Sequence, residues 1–311
     1  MKKSAKLLLR TILVLFFLFN IIVIFHAYKL THFYERSQVT LKKAADKTTW
    51  DKTADILFGA KAVKQQNTAP DTIVQAVYFT TADNLKLEGW YLPVLNAKGT
   101  IAMFHGHGGK KSSLLPEAAV FRRQGFNTLL LDFRAHGNSQ GNSCTIGYEE
   151  AEDVKLVYDY LEKKGEKNII LYGVSLGAST ITKAINDYNL APAKVILDMP
   201  FASLSDAVEG RLKIMKLPAE PLATMLTFWG GVLHGFWAFD LKPYEFAGKI
   251  NCPVLLQRGR KDPRVTQEET EKIFNNIHSS KKLVVYENSA HESLYKKESD
   301  KWTNEVTAFL Q

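Results

Sequence analysis

Twenty consecutive residues constrain the fold of this chain more than any others. Asn168–Gly173 is a short apolar run, Gly173-Val174-Ser175-Leu176-Gly177 follows it, and Leu176–Asp187 has apolar residues at helical spacing. A strand that turns sharply into a helix around a serine needs glycines two before and two after it, so that strand and helix can pass closely. Such a turn strains the serine backbone and lifts its hydroxyl above the carboxyl end of a sheet, at a helix N-terminus where negative charge is favoured.

The rest of the chain repeats the same alternation. Thr100–His105, Asn127–Asp132, Lys194–Asp198, Pro253–Arg258 and Lys281–Tyr286 are further apolar runs. Helices are predicted over Ser112–Gln124, Tyr148–Lys163, Thr266–Ile277 and the C-terminus. Apolar strands without alternation, each followed by a helix, predict a parallel sheet covered on both faces. Ile73–Thr80 and Leu85–Leu92, joined by Ala82-Asp83-Asn84, read as an antiparallel hairpin. The expected class is therefore α/β, a mostly parallel sheet with an antiparallel N-terminal hairpin.

A serine hydroxyl near neutral pH needs an adjacent base, and in this strand–turn–helix context the order along the chain is serine, acid, histidine. His278 precedes a strand, at the wrong end of the sheet. His291 follows strand Lys281–Tyr286 and is the expected base. Asp262, in the loop after Pro253–Arg258, is the expected acid, with Asp198 as its rival. Oxyanion donors are expected at the amide of Leu176, just after the serine, and at that of His107 in His105-Gly106-His107-Gly108-Gly109. That loop has neither the Lys-Ser/Thr ending of a P-loop nor the glycine spacing of a dinucleotide fingerprint. The imidazoles of His105 and His107 are expected to be structural.

H-G-x-G-G, Asp132-Phe133-Arg134-Ala135-His136-Gly137-Asn138-Ser139, G-V-S-L-G, G-R-K-D-P and the late S-A-H together resemble bacterial α/β-hydrolases of the serine aminopeptidase and lysophospholipase-like group, over about residues 70–311. Two positions depart from that pattern. Ala135 stands where the group has glycine, and Gln257-Arg258 where it commonly has a histidine before Gly259. The resemblance implies hydrolysis of an ester, thioester or amide, without metal or organic cofactor. A carboxylesterase or acylhydrolase acting on a small-molecule or lipid acyl substrate is expected. The alternatives are a peptidase of the same scaffold and a catalytically silent, membrane-tethered binding protein.

Leu7–Phe25 is apolar except for Arg10, Thr11 and Asn20, and nineteen helical residues span about 28 Å, close to the hydrocarbon thickness of a bilayer. Phe25-His26-Ala27 lacks the small residue a signal-peptide cleavage site wants, so a retained anchor is favoured over a cleaved signal. Lys2, Lys3, Lys6 and Arg10 place the N-terminus inside and the remainder outside the cytoplasm. Residues 1–50 carry nine basic and two acidic residues, and the other 261 carry 31 and 30. The positive excess therefore lies on the tail, not on a folded groove, which argues against nucleic acid. Cys144 and Cys252 read as small apolar residues.

The expected organisation is an anchor over 1–28, a stalk over 29–70 and a catalytic domain over 71–311. A cap over about 201–249 holds Phe228, Trp229, Phe236, Trp237 and Phe239. These aromatics could line an acyl pocket, dip into the membrane interface or pack the cap on the core. Oligomeric state is not legible.

Overall fold

The computed structural model describes residues 2–311. Its N-terminal part is α1 (Lys2–Thr31), β1 (Phe33–Tyr34), α2 (Thr49–Phe58) and β2 (Ala62–Val63). Then come β3 (Gln75–Thr80), β4 (Lys86–Leu92), β5 (Thr100–Phe104), α3 (Leu115–Arg123), β6 (Asn127–Leu131), α4 (Glu150–Lys163), β7 (Ile169–Val174), α5 (Leu176–Tyr188) and β8 (Lys194–Asp198). Two cap helices, α6 (Leu204–Ile214) and α7 (Leu222–His234), precede β9 (Val254–Gly259) and β10 (Lys281–Tyr286). Helices Gln267–Asn276 and Ser299–Leu310 follow these two strands.

β3 to β10 form one sheet in the order β10-β9-β8-β7-β5-β6-β4-β3. β3 and β4 pair antiparallel with each other, as does β4 with β6, and every other pair is parallel. Every residue of β5 and β6 is buried. Ile101 and Met103 enter one apolar cluster and Ala102 and Phe104 the other, so alternate side chains of a single strand fill both faces. β6 and β7 leave β5 on opposite sides, which makes the carboxyl end of β5 the crevice where open α/β sheets hold ligands.

Residues 29–70, expected as a stalk, lie along the sheet domain. β1 pairs parallel with β2, and the Phe33 amide donates to Asn142 O at 2.8 Å. Lys64 is buried and donates to Ser139 O at 2.9 Å, while Gln65 donates to Gly108 O at 2.7 Å. Thr48 and Asp51 form a reciprocal capping box that starts α2. The bonds from Phe33, Lys64 and Gln65 reach across 43 to 109 residues of sequence, so local composition carries no sign of them.

Thirty residues of α1 span about 45 Å, whereas the hydrocarbon of a bilayer is about 30 Å thick. The surplus of about 15 Å is about ten residues, and the helix divides there. Residues 3–19 are all exposed, while Val23, Ala27 and Thr31 are buried. Val23 and Ala27 pack in one cluster with Leu204, Val208, Leu212 and Leu226 of α6 and α7. The polar interruptions of the apolar run are satisfied locally: Thr11 donates to Leu7 O at 3.1 Å, and Asn20 donates to Phe16 O and accepts from Trp229 Nε1 at 3.0 Å.

Candidate active site

Ser175 stands between β7 and α5 with φ 52° and ψ −112°, a conformation that non-glycine residues rarely adopt. The flanking glycines are demanded by space. A methyl at Gly177 would lie 2.3 Å from Phe104 O, and one at Gly173 would lie 2.5 Å from the Ala178 nitrogen. The Ser175 amide donates to Asp198 O at 2.7 Å, which ties the turn to the end of β8.

Ser175 Oγ lies 2.9 Å from His291 Nε2, and His291 Nδ1 lies 2.7 Å from Asp262 Oδ2. The Asp262 side chain has no exposed surface. Its other oxygen accepts from the amides of Arg264 at 2.8 Å and Val265 at 3.1 Å, which fixes the carboxylate plane. The loops after β9 and β10 meet because Gly259 has no side chain: a methyl there would lie 2.3 Å from Ser289 O. Ser289 and the Asn288 amide then donate to Glu298 Oε1, pinning the loop that carries His291.

Asp198 is fully buried and belongs to a different set. It accepts from Tyr172 Oη at 2.8 Å, Gln257 Nε2 at 2.7 Å and Trp302 Nε1 at 3.3 Å. Gln257 Oε1 also accepts from Tyr286 Oη at 2.5 Å, so the departure at Gln257 is a bridge between Asp198 and β10. Burial pushes the Asp198 carboxyl up to about 7 against the pull of its three donors. His278 is exposed and sits before β10, at the opposite end of the sheet.

The His105–Gly109 loop runs beside the serine, and a methyl at Gly106 would be 3.5 Å from Ser175 Cβ. Two buried histidines staple it to the loop after β6. His105 Nδ1 donates to Gly106 O at 2.8 Å while its Nε2 accepts from the Phe133 amide at 3.2 Å. His136 Nδ1 donates to Arg134 O and its Nε2 accepts from the Gly108 amide at 3.0 Å. Burial pushes both imidazoles below the usual range, in keeping with neutral rings that each donate once and accept once. His107 Nε2 donates to Leu30 O at 3.1 Å, at the end of α1, and its pKa is held at about 3, first by burial and then by the charge of Arg211. The amide of Leu176 opens α5, where no preceding turn offers it a carbonyl. In the loop after β6, Arg134 reaches Asp153 at 2.8 Å and Glu152 at 2.7 Å. Ala135 there takes φ 62°, the left-handed region that explains a glycine at this position, at a cost of about 1–2 kcal/mol.

A pocket of about 80 Å³ opens at the serine, walled by Leu30, Ile146, Phe201, Val208, Arg211 and Arg264, with Ser175 and His291. The five cap aromatics are not among its lining residues. Phe236 stacks on Tyr148 with ring centres 4.1 Å apart, Trp229 is bonded to Asn20, and Phe228 and Trp237 are exposed. Leu30, Arg211 and Arg264 escape sequence reasoning, because nothing local distinguishes them from other residues of the expected stalk, a cap helix and a loop. Both cysteines are free thiols.

Residues 96–235 match the profile of the family described as serine aminopeptidase, S33. The uncharacterized protein YqkD of Bacillus subtilis (strain 168) is 27% identical over 239 residues, 76% of this chain and 78% of its own. Lysophosphatidylserine lipase ABHD12 of Xenopus tropicalis is 23% identical over 219 residues, 65% of this chain but 53% of its own. Among solved structures, the Pyrococcus furiosus esterase PF2001 superposes with a TM-score of 0.66 at 24% identity, covering 79% of this chain and 95% of its own. The esterase EaEST of Exiguobacterium antarcticum gives 0.58 at 17% identity, covering 76% and 99%. Likeness at these identities establishes a shared fold.

The raised Asp198 carboxyl has a thermodynamic consequence. With a folded pKa of about 7 against an ordinary 3.8, the folded chain holds a proton that the unfolded chain releases. This contribution to stability is complete below pH 4 and is lost as pH rises through 7. Asp198→Asn removes the titration, so its apparent Tm should fall less between pH 5 and pH 8 than that of the parent. Equal falls in the two proteins would show that Asp198 does not carry this dependence.

Proposed function

We propose, for a chain that belongs to the α/β-hydrolase superfamily, the activity of a membrane-anchored serine esterase with Ser175 as nucleophile, His291 as base and Asp262 as the orienting acid. The observation that carries this reading is the unbroken hydrogen-bond chain from Ser175 Oγ through His291 to a buried Asp262. Ser175 Oγ attacks the ester carbonyl carbon while its proton passes to His291 Nε2. The amides of Leu176 and His107 hold the oxyanion. Collapse breaks the carbonyl–alkoxy bond, and the alcohol leaves with the proton from Nε2. Water then gives a proton to Nε2, attacks the acyl-serine and releases the acid, restoring Ser175.

An ester fits the pocket better than a peptide N-terminus does. An aminopeptidase must hold a substrate ammonium, whereas the pocket walls carry Arg211 and Arg264 and no carboxylate. The names of the two esterase neighbours point the same way. The exposed apolar stretch of α1 is the proposed anchor, and its buried end favours retention, because cleavage near residue 28 would remove Val23 and Ala27 from the cap. The basic N-terminus favours a catalytic domain outside the cytoplasm.

Asp262→Asn should lower kcat by about four orders of magnitude, through loss of imidazole orientation. Asp198→Asn should change Tm more than kcat, and the reverse pattern in two folded proteins would contradict the acid assignment. The full-length chain should also stay in the membrane pellet through high salt and alkaline carbonate, since screening releases only electrostatic adhesion. Full-length protein in the salt wash would contradict the anchor, as would a soluble chain beginning near residue 28.

A further inference from the structure

The free part of α1 is shorter than a bilayer is thick. Its lysine-rich start ends at Lys6, so a span counts from Leu7. About 30 Å of hydrocarbon takes about twenty helical residues, which reaches to His26. The helix is fully exposed only as far as Phe19, and the stretch from Leu7 to there covers about 20 Å. The last part of the hydrocarbon, about 10 Å, therefore falls where α1 already has protein neighbours, and any tilt of the helix enlarges that shortfall.

Those neighbours turn apolar side chains outward. A cavity of about 610 Å³ between α1 and the cap is lined by Phe19 and Ile22 together with Ile56 of α2 and with Met215 and Leu217, which follow α6. Ile56, Met215 and Leu217 are all exposed. Phe58 stands edge-on to Phe25 with ring centres 5.2 Å apart, and both rings are exposed. On α7, Trp229 reaches Asn20, and the exposed Phe228 packs against Trp229. Residues 214–218 are exposed without a break, and only Lys216 among them is polar. A contiguous apolar surface of this kind marks a contact with protein or lipid. Lys61 and Lys216 are exposed here as well, and lysines keep their stems in lipid while their ammonium groups reach the headgroups. Asp55, on the same cavity wall, is paired with Lys47 at 2.5 Å. The face adjoins the lipid-facing stretch of α1 directly, so lipid meets it before a soluble partner could.

We propose that Ile56, Phe58, Met215, Leu217 and Phe228 form a collar that sits in the bilayer beside α1, so that the lipid itself is the partner of this face. The inference rests on the anchor reading of α1 and adds that α2, residues 214–218 and α7 share the membrane with it. The collar supplies the depth that the free part of α1 lacks. The segment expected as a stalk is then part of a seat, and the catalytic domain rests on the membrane instead of hanging away from it.

The test places the full chain in phosphatidylcholine vesicles with an environment-sensitive nitrobenzoxadiazole label at single introduced cysteines. The background is Cys252→Ala, since Cys144 is buried. Ile56→Cys and Leu217→Cys probe the collar, while Leu95→Cys, at a position 92% exposed after β4, and Tyr78→Cys on the edge strand β3 are the controls. Both collar labels are expected to emit to the blue of the controls, to resist quenching by aqueous iodide and to be quenched by lipid brominated on its acyl chains. Collar labels as open to iodide as the controls would overturn the proposal. So would labels shielded from iodide but untouched by brominated lipid, the result if a second copy of the chain covers this face. Flotation separates the two readings: a chain that floats with the vesicles while its collar labels stay open to iodide leaves the anchor standing, and a chain that does not float removes both.

Discussion

The contact on which the rest of this structure depends is between α5 and β5. Gly177 lies so close to Phe104 O that no side chain fits between them, and this contact seats the β7–α5 turn on the sheet. The strain at Ser175, φ 52° and ψ −112°, persists because strand and helix over-determine it from both sides. Phe104 pairs in register with Gly173, Val174 with Asp198, and Tyr286 with Gly259. The carboxyl ends of five strands therefore lie along one edge, where loops can deliver an acid and a base to the same hydroxyl.

The second constraint is burial without charge. His105 and His136 are enclosed, pushed below their usual pKa by desolvation, and each makes one donated and one accepted bond. A protonated ring would lose an acceptor and leave an amide unpaired. They hold the glycine-rich loop against Ser175 as rigid neutral spacers. His107 extends this linkage to Leu30, so the end of the apolar helix and the loop beside Ser175 form one mechanical unit.

The strands were legible because most are apolar runs long enough to span a buried sheet, and the observed ends lie within two residues of the expected ones. The places of Ser175, Asp262 and His291 were legible for a related reason. Each follows a strand whose direction fixes its end of the sheet, and the structure brings the three within hydrogen-bonding reach. The docking of residues 29–70 was not legible, because bonds such as Lys64 to Ser139 O join segments with no local signature. The cap resisted for another reason. Five of its aromatics drew attention, yet the cap's share of the pocket wall is Phe201, Ala207, Val208 and Arg211, the last of which becomes distinctive only beside Arg264. The role of Gln257 was hidden too, since only the fold shows it between Asp198 and Tyr286.

The central claim is that Ser175 is a nucleophile activated by His291. Incubation of the folded full-length chain with a fluorophosphonate, followed by peptide mass spectrometry, tests it most directly. The account predicts one phosphonyl adduct, on the peptide bearing Ser175, with a labelling rate that falls by at least about a hundredfold in His291→Ala. Folded protein without an adduct at Ser175, or labelling at the same rate in His291→Ala, would contradict it.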